Sequence, residues 1–356
     1  MLLPMIVGCS GFGIIKGDTV MQLGDYKITE AMYSYWLARF KTLFLYTYNN
    51  SKDTASFWNT KVSDDMTYET FITEFVDSYA KKMLVSMKLF DEYDLVFSKT
   101  TKSTIEGKID DLIEAYGSRS ALNSELSVYG LNINTLKNIY YVQEKADAVS
   151  GYLFGANGPY SVTDTDREEY YEKHYRSVDW IYIYTEKQPK KGEDGGYVTD
   201  GTGYYILEDL SAEDKVKKAE LVAKIKSEID AGKDFTALKN EYSEEELEKY
   251  AYISNINISA NDIDYGTEFL KTIQSLEIGK YGEYNDGEAT YIIIRKELAP
   301  FASLSDQDMS IMKDFETYVL DDKAEKFYAS VEVNVNGDVK GRYDIKKIKG
   351  ITNTNI

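Results

Sequence analysis

Apolar residues recur at three- and four-residue steps through most of the first half of the chain, the spacing that puts them on one face of a helix. Tyr33, Trp36, Leu37, Phe40, Phe44 and Tyr48 predict a helix from Thr29, a candidate cap, to about Tyr48. Ahead of it, Val20 to Thr29 reads as two short strands around Gly24-Asp25, a hairpin signal. Asn49 to Met66 has no period and is expected to be a polar loop containing Phe57 and Trp58. A long helix over Tyr68 to Tyr93 follows, with Phe71, Phe75, Val76, Tyr79, Met83, Met87 and Phe90 on its face. Three more helices are predicted over Ser103–Tyr116, Ser120–Tyr129 and Asn134–Leu153, punctuated by Gly117, Gly130 and Gly155.

The pattern changes in the second half. Val162-Thr163-Asp164 opens a short helix with Thr163 as cap, and Val178 to Tyr184 is a strand-like run. Glu186 to Glu213 is rich in Gly, Lys and Asp and reads as a mobile insertion. Lys215 to Tyr242 carries Leu221, Val222, Ile225 and Ile229 on one helical face, a stop at Gly232, then a second short helix with Phe235 and Leu238. Glu268 to Leu276 is a helix, Gly279 a turn, and two strands follow, of which Ala289 to Arg295 is dense in β-branched residues. Leu304 to Tyr328 reads as one long helix with Met309, Met312, Phe315, Val319 and Phe327 inward, Val331 to Val335 as an alternating strand, and the tail beyond Gly350 as frayed.

Composition narrows the function. The 356 residues suffice for two or three domains. The charge of −19 opposes nucleic acid, whose phosphates need a basic face, and opposes electrostatic docking on anionic lipid. Thirty-two tyrosines are either peptide-binding surface, apolar with a polar tip, or a compositional habit. With one cysteine, Cys9, and one histidine, His174, neither an internal disulfide nor a mechanism using two histidines is available. No nucleotide-binding glycine pattern occurs, and no cofactor is expected. The acids Asp164, Asp166, Glu168 and Glu169 sit at a helix start, where they favour the dipole, and lack the Gly and terminal Glu of a Ca²⁺ loop, so no metal site is assigned.

MLLPMIVGCSG is a short apolar run in which small residues precede Cys9. It resembles a bacterial lipobox, which implies lipidation of Cys9 after cleavage and an extracytoplasmic protein anchored to the cell membrane by lipid alone. The run is short and has no basic flank, as if the chain began inside a longer signal peptide. The alternative is a cysteine in an ordinary N-terminus. No later stretch is apolar enough to span a bilayer.

EIDAGKDFTALKNEYS (Glu228 to Ser243) resembles the signature of parvulin-type peptidyl-prolyl isomerases, and EFLKTIQSLEIGKYGEY (Glu268 to Tyr284) is similar to their segment ending Gly-Glu-Val-Ser. Lys280 and Tyr281 here replace the Glu and Val, and the first and last strands also fit. The N-terminal strings "strand, Gly-Asp, strand, Thr-Glu, helix" and "helix, Tyr-Gly, short helix, Tyr-Gly-Leu, helix" resemble the chaperone domain of PrsA- and SurA-type foldases. The likeness implies an α+β chain: a signal remnant and tether (1–17), a helical chaperone domain (18–174), an inserted parvulin-like α+β domain (175–298), and a C-terminal helix and strand (299–350) that complete the chaperone domain, which is therefore discontinuous.

The family's two histidine positions fall on Trp180 and Tyr291, and its thiol or acid position falls near Glu245. Its Gly-Gly-Asp-Leu-Gly segment is replaced by Lys249 to Ile253, and His174 precedes the first strand, as a helix-end residue. Phe269 and Leu276 occupy apolar pocket positions, though Phe and Leu are also ordinary core residues. The resemblance thus implies a scaffold kept and a catalytic set lost. Trp180, Phe269, Leu276 and Tyr291 are the expected peptide-binding residues, by stacking and strand pairing, or else they simply fill the old site. The function implied is a lipid-anchored foldase binding unfolded secreted polypeptide clients, without cofactor and without nucleic acid; a homodimer is compatible with it. The alternative is an active prolyl isomerase using Tyr291 and Glu245. A lipoprotein capturing one ligand lacks support, because the β-α alternation of bilobal binding proteins is missing.

Overall fold

The computed structural model describes residues 17–50, 52–63, 65–244, 256–260, 262, 265–312 and 314–351, the side chains of 307, 310 and 311 excepted. Cys9, Glu245 and Lys249 to Ile253 lie outside the described residues. The chain divides into two compact units, residues 1–162 with 320–356, and residues 163–319.

In the first unit, Gly24 at φ +59° makes the tight turn between β1 (Thr19–Leu23) and β2 (Tyr26–Thr29), which pair antiparallel. α1 (Glu30–Asn49) buries Tyr33, Trp36 and Leu37. The segment expected to be a loop is structured. Thr54 caps α2 (Ala55–Asn59) by accepting from the Phe57 N–H, and β3 (Lys61–Ser63) pairs with β4 (Met66–Thr67). Phe57 and Trp58 drive this, because both are buried and stack on their neighbours; two aromatic residues were a sufficient apolar anchor without any period. α3 (Tyr68–Glu92), α4 (Lys99–Ala115), α5 (Arg119–Ser127) and α6 (Ile133–Phe154) follow, with side-chain caps from Thr67, Ser98, Ser118 and Asn132. Their buried faces, including Ile72, Val76, Leu84, Ile105, Leu136 and Ile139, form one core with α1.

The second unit opens on α7 (Asp164–His174), whose capping box reciprocally joins Thr163 and Asp166. β5 (Tyr175–Tyr184) leads to a small ribbon, β6 (Lys187–Pro189) with β7 (Leu207–Asp209), extended by bridges Lys191–Tyr197 and Thr199–Tyr205. The stretch read as a mobile insertion is therefore a hydrogen-bonded meander, its turns held by Asp194 and Asp200 carboxylates accepting backbone N–H groups. α8 (Ala212–Asp230), α9 (Phe235–Tyr242), β8 (Ile256–Ser259), α10 (Thr267–Ser275), β9 (Tyr281–Asn285) and β10 (Ala289–Lys296) complete an antiparallel sheet of order β8-β5-β10-β9. Strand alternation sorts its side chains. Ile181, Ile183 and Ile292 face Val222, Ile225, Phe235 and Leu238 of α8 and α9. Val178, Trp180 and Ile293 face Phe269 and Ile273 of α10.

The expected long helix from Leu304 is broken. α11 (Asp306–Ile311) ends, Asp314 adopts φ +57°, and α12 (Phe315–Ser330) starts afresh. No Gly or Pro announces the break. Asp tolerates the left-handed conformation, and the restart packs Phe315 against Tyr170, Tyr175 and Phe301.

Residues from the far end of the chain finish the first unit. β11 is only Asn334–Val335, not the five-residue strand expected, because its partner β1 turns away at Gly24. α13 (Gly337–Lys340) follows. Lys41 of α1, 1% exposed, donates to the Ile345 and Ile348 carbonyls (2.7 and 2.8 Å) and pairs with Asp53 (2.7 Å). Ile351, assigned to a frayed tail, is buried and its N–H donates to the Ala38 carbonyl.

Candidate peptide-binding site

β5 and β10 pair so that Tyr291 lies opposite Tyr182 and Ile293 opposite Trp180. Side chains two apart share a face, so Trp180, Tyr182 and Tyr291 project together toward α10. α10 brings Phe269 onto them. The Phe269 ring meets Trp180 at 6.0 Å and Tyr291 at 5.5 Å between centroids, both nearly perpendicular, and Tyr291 meets Trp180 at 6.3 Å and Tyr182 at 5.0 Å. Such edge-to-face pairs are each worth about 0.5–1.5 kcal/mol beyond burial. Tyr265 stacks on Phe269 and Tyr284 completes the ring set. Leu276 packs on the same cluster and sits over Gly282, where an added Cβ would come within 2.9 Å of its Cδ2.

Four of the sequence-predicted residues, Trp180, Phe269, Leu276 and Tyr291, therefore come together. The cluster is packed rather than open: Trp180 and Phe269 are each 4% exposed, and the half-buried members are Tyr182, Tyr265, Leu276, Tyr284 and Tyr291. Tyr182, Tyr265 and Tyr284 were not among the expected site residues. Alternation in VDWIYIY already placed Tyr182 on the face of Trp180, whereas Tyr265 and Tyr284 required knowing that α10 and β9 border that face. His174 ends α7 stacked on Tyr170 (4.3 Å) at the entry to β5 and is not a member of the cluster. Glu245 lies outside the described residues. Its neighbours run along β5, with Ser243 Oγ accepting from the Tyr182 N–H (3.1 Å) and Glu244 Oε2 from the Tyr184 N–H (2.9 Å).

Burial, reinforced by Tyr184, Tyr291 and Asp286, pushes the Tyr182 phenol well above its ordinary range, so it is neutral at physiological pH. Trp180 Nε1 is buried with no hydrogen-bond partner among the described residues. Behind Trp180, on the opposite face of β5, the buried Asp179 carboxylate accepts from Lys239 (2.7 Å), Lys296 (3.2 Å) and the Trp180 N–H (2.9 Å), fixing the strand. What solvent reaches of the closed cluster is thus the half-buried edges of Tyr182, Tyr265, Tyr284 and Tyr291.

No protein-family model matches the chain, and no curated protein matches it. Among solved structures, PrsA from Bacillus subtilis is 17% identical, with 82% of this chain and 99% of that one covered, at a TM-score of 0.24. The chain is similar to PrsA foldases. A peptidylprolyl isomerase (PrsA) from Bacillus cereus is 19% identical over 81% of this chain and 98% of that one, TM-score 0.26. The foldase protein PrsA from Streptococcus pneumoniae str. Canada MDR_19A is 16% identical over 83% and 95%, TM-score 0.24. Similarity to PrsA at these values assigns no activity to this chain.

Proposed function

We propose that this chain is an extracytoplasmic foldase of the PrsA type, lipid-anchored through Cys9, that holds unfolded secreted polypeptides, and that its parvulin-like unit keeps the scaffold without the isomerase chemistry. The observation that carries the reading is the aromatic cluster: Trp180 and Tyr291 stand at the two positions where the resemblance calls for imidazoles, and they pack ring against ring with Phe269. Twisting an X-Pro amide means surmounting a barrier of about 18–20 kcal/mol. Phenol and indole groups supply binding surface for an extended chain, but not the pair of imidazoles that the resemblance places beneath the twisted amide. The net charge of −19 keeps such a holder soluble and draws it toward cationic segments.

The test has three parts. The full chain should suppress aggregation of a chemically denatured client at near-stoichiometric amounts, and failure to do so removes the foldase reading. A protease-coupled prolyl-peptide assay should show the uncatalysed rate; acceleration abolished by Tyr291→Phe would establish an active isomerase instead. Expressed in a bacterium, the protein should carry radiolabelled palmitate, and Cys9→Ala should not; an unlabelled native protein ends the anchoring proposal.

A further inference from the structure

The first unit carries an open strand edge that the cluster in the second unit does not involve. β11 has one neighbour, β1, in the order β11-β1-β2. The Asn336 N–H donates to the Val20 carbonyl (2.9 Å), and Asn334 pairs with Gln22. Backbone groups alternate sides along a strand, so the N–H and C=O groups of Val333 and Val335 point to the other edge. Neither residue has a backbone partner there among the described residues, and Val335 is 48% exposed. Alongside runs a groove of about 700 Å³ between α3 and Ala329–Val335. Its α3 wall is fixed: Asp77 accepts from the Tyr33 hydroxyl (2.8 Å) and pairs with Lys340, and Lys81 donates to the Ala329 carbonyl (2.8 Å).

We propose that this edge binds polypeptide by strand addition, its occupant an extended segment in which apolar residues alternate with Lys or Arg. The inference rests on the foldase reading and names how a client is gripped. Two features select that occupant. Val333 and Val335, two residues apart, share one face of the strand end: Val333 packs on the core below and Val335 offers apolar surface beside it. Glu332 and Asn334 share the other face and are exposed. A cross-strand basic residue opposite Glu332 complements it, and the chain's excess of acid steers cationic segments to it. Main-chain bonds supply affinity without reading a sequence, as a holder of many clients requires.

The experiment measures binding of fluorescent (Val-Lys)4 to the full chain at physiological salt, beside (Val-Glu)4 and a (Val-Lys)4 peptide N-methylated at alternate amides. Strand addition predicts that (Val-Lys)4 binds at least tenfold more tightly than either control. Glu332→Lys, an exposed change that leaves the core intact, should weaken (Val-Lys)4 and strengthen (Val-Glu)4. Val335→Pro, which deletes one outward donor at a residue 48% exposed and outside the core, should abolish binding while leaving the circular dichroism unchanged. Equal binding of the N-methylated peptide, indifference to Glu332→Lys, or sedimentation showing that a second copy of the chain occupies the edge would each overturn the proposal. Aggregation suppression measured on the same proteins separates the readings: a chain that suppresses aggregation yet ignores (Val-Lys)4 loses strand addition alone.

Discussion

Lys41 shows how much one side chain can hold. Its ammonium is buried and satisfies two carbonyls of the C-terminal turn as well as Asp53. Lys41→Met keeps the volume but strands both carbonyls, at about 1–3 kcal/mol each. Urea unfolding should therefore show a loss of about 2–6 kcal/mol, and a loss below about 0.6 kcal/mol, one RT, would mean the carbonyls find water. The Tyr171 hydroxyl is the converse case, fully buried with no hydrogen-bond partner among the described residues. Tyr171→Phe should raise stability by about 1 kcal/mol in the same measurement. At this scale the candidate site was partly legible. The likeness to parvulins implied that Trp180, Phe269, Leu276 and Tyr291 line one site, and their rings and side chains do meet. That the cluster closes on itself was not legible: closure depends on Tyr265 and Tyr284 arriving from elements distant in sequence. Lys41 was equally hidden, since a lysine within an amphipathic helix reads as solvent-facing until its acceptors, some three hundred residues later, are known.

Elements with a sustained period were read within a few residues, as α1, α3 and α6 show, although Thr29, the candidate cap of α1, makes no side-chain capping bond. The failures share a cause, tertiary contacts overriding local pattern. α2 exists because Phe57 and Trp58 are buried, and α11 and α12 are separate because Met312 and Phe315 must both be inside. Capping carboxyls give helix starts a pH dependence. The Ser305 hydroxyl and N–H, donating to Asp308, hold its carboxyl below the ordinary range, and the Ser211 hydroxyl, then Lys217, do the same for Asp214. A depressed carboxyl contributes stability above the unfolded value of about 3.9, and the contribution is lost as pH falls below it. The melting temperature should accordingly fall between pH 6 and pH 3, and Asp308→Ala should lower it at pH 6 while narrowing the difference between the two. An unchanged difference would assign the acid sensitivity to other groups.

Across the whole molecule the tyrosines divide into two populations. Burial pushes Tyr171 and Tyr343 up to about 12, and Tyr33, Tyr35, Tyr175 and Tyr182 further. A raised phenol contributes stability that is complete below about pH 10 and disappears as pH climbs through the folded value. Phenolate absorbance from the buried set should rise only together with loss of circular dichroism; ionisation of every tyrosine before unfolding would contradict the burial. The α+β class was legible because periods of 3.6 and 2 occupy different stretches, whereas nothing in the local pattern says that α1 waits for residues 345–351. That wait has a consequence for biosynthesis. A chain emerging N-terminus first exposes the α1–α6 core until residues 345–351 appear, and the contacts at Lys41 bridge 304 and 307 positions, among the long-range closures that join the two ends of the first unit. A copy terminated before residue 345 thus leaves its first module unsealed and open to proteolysis.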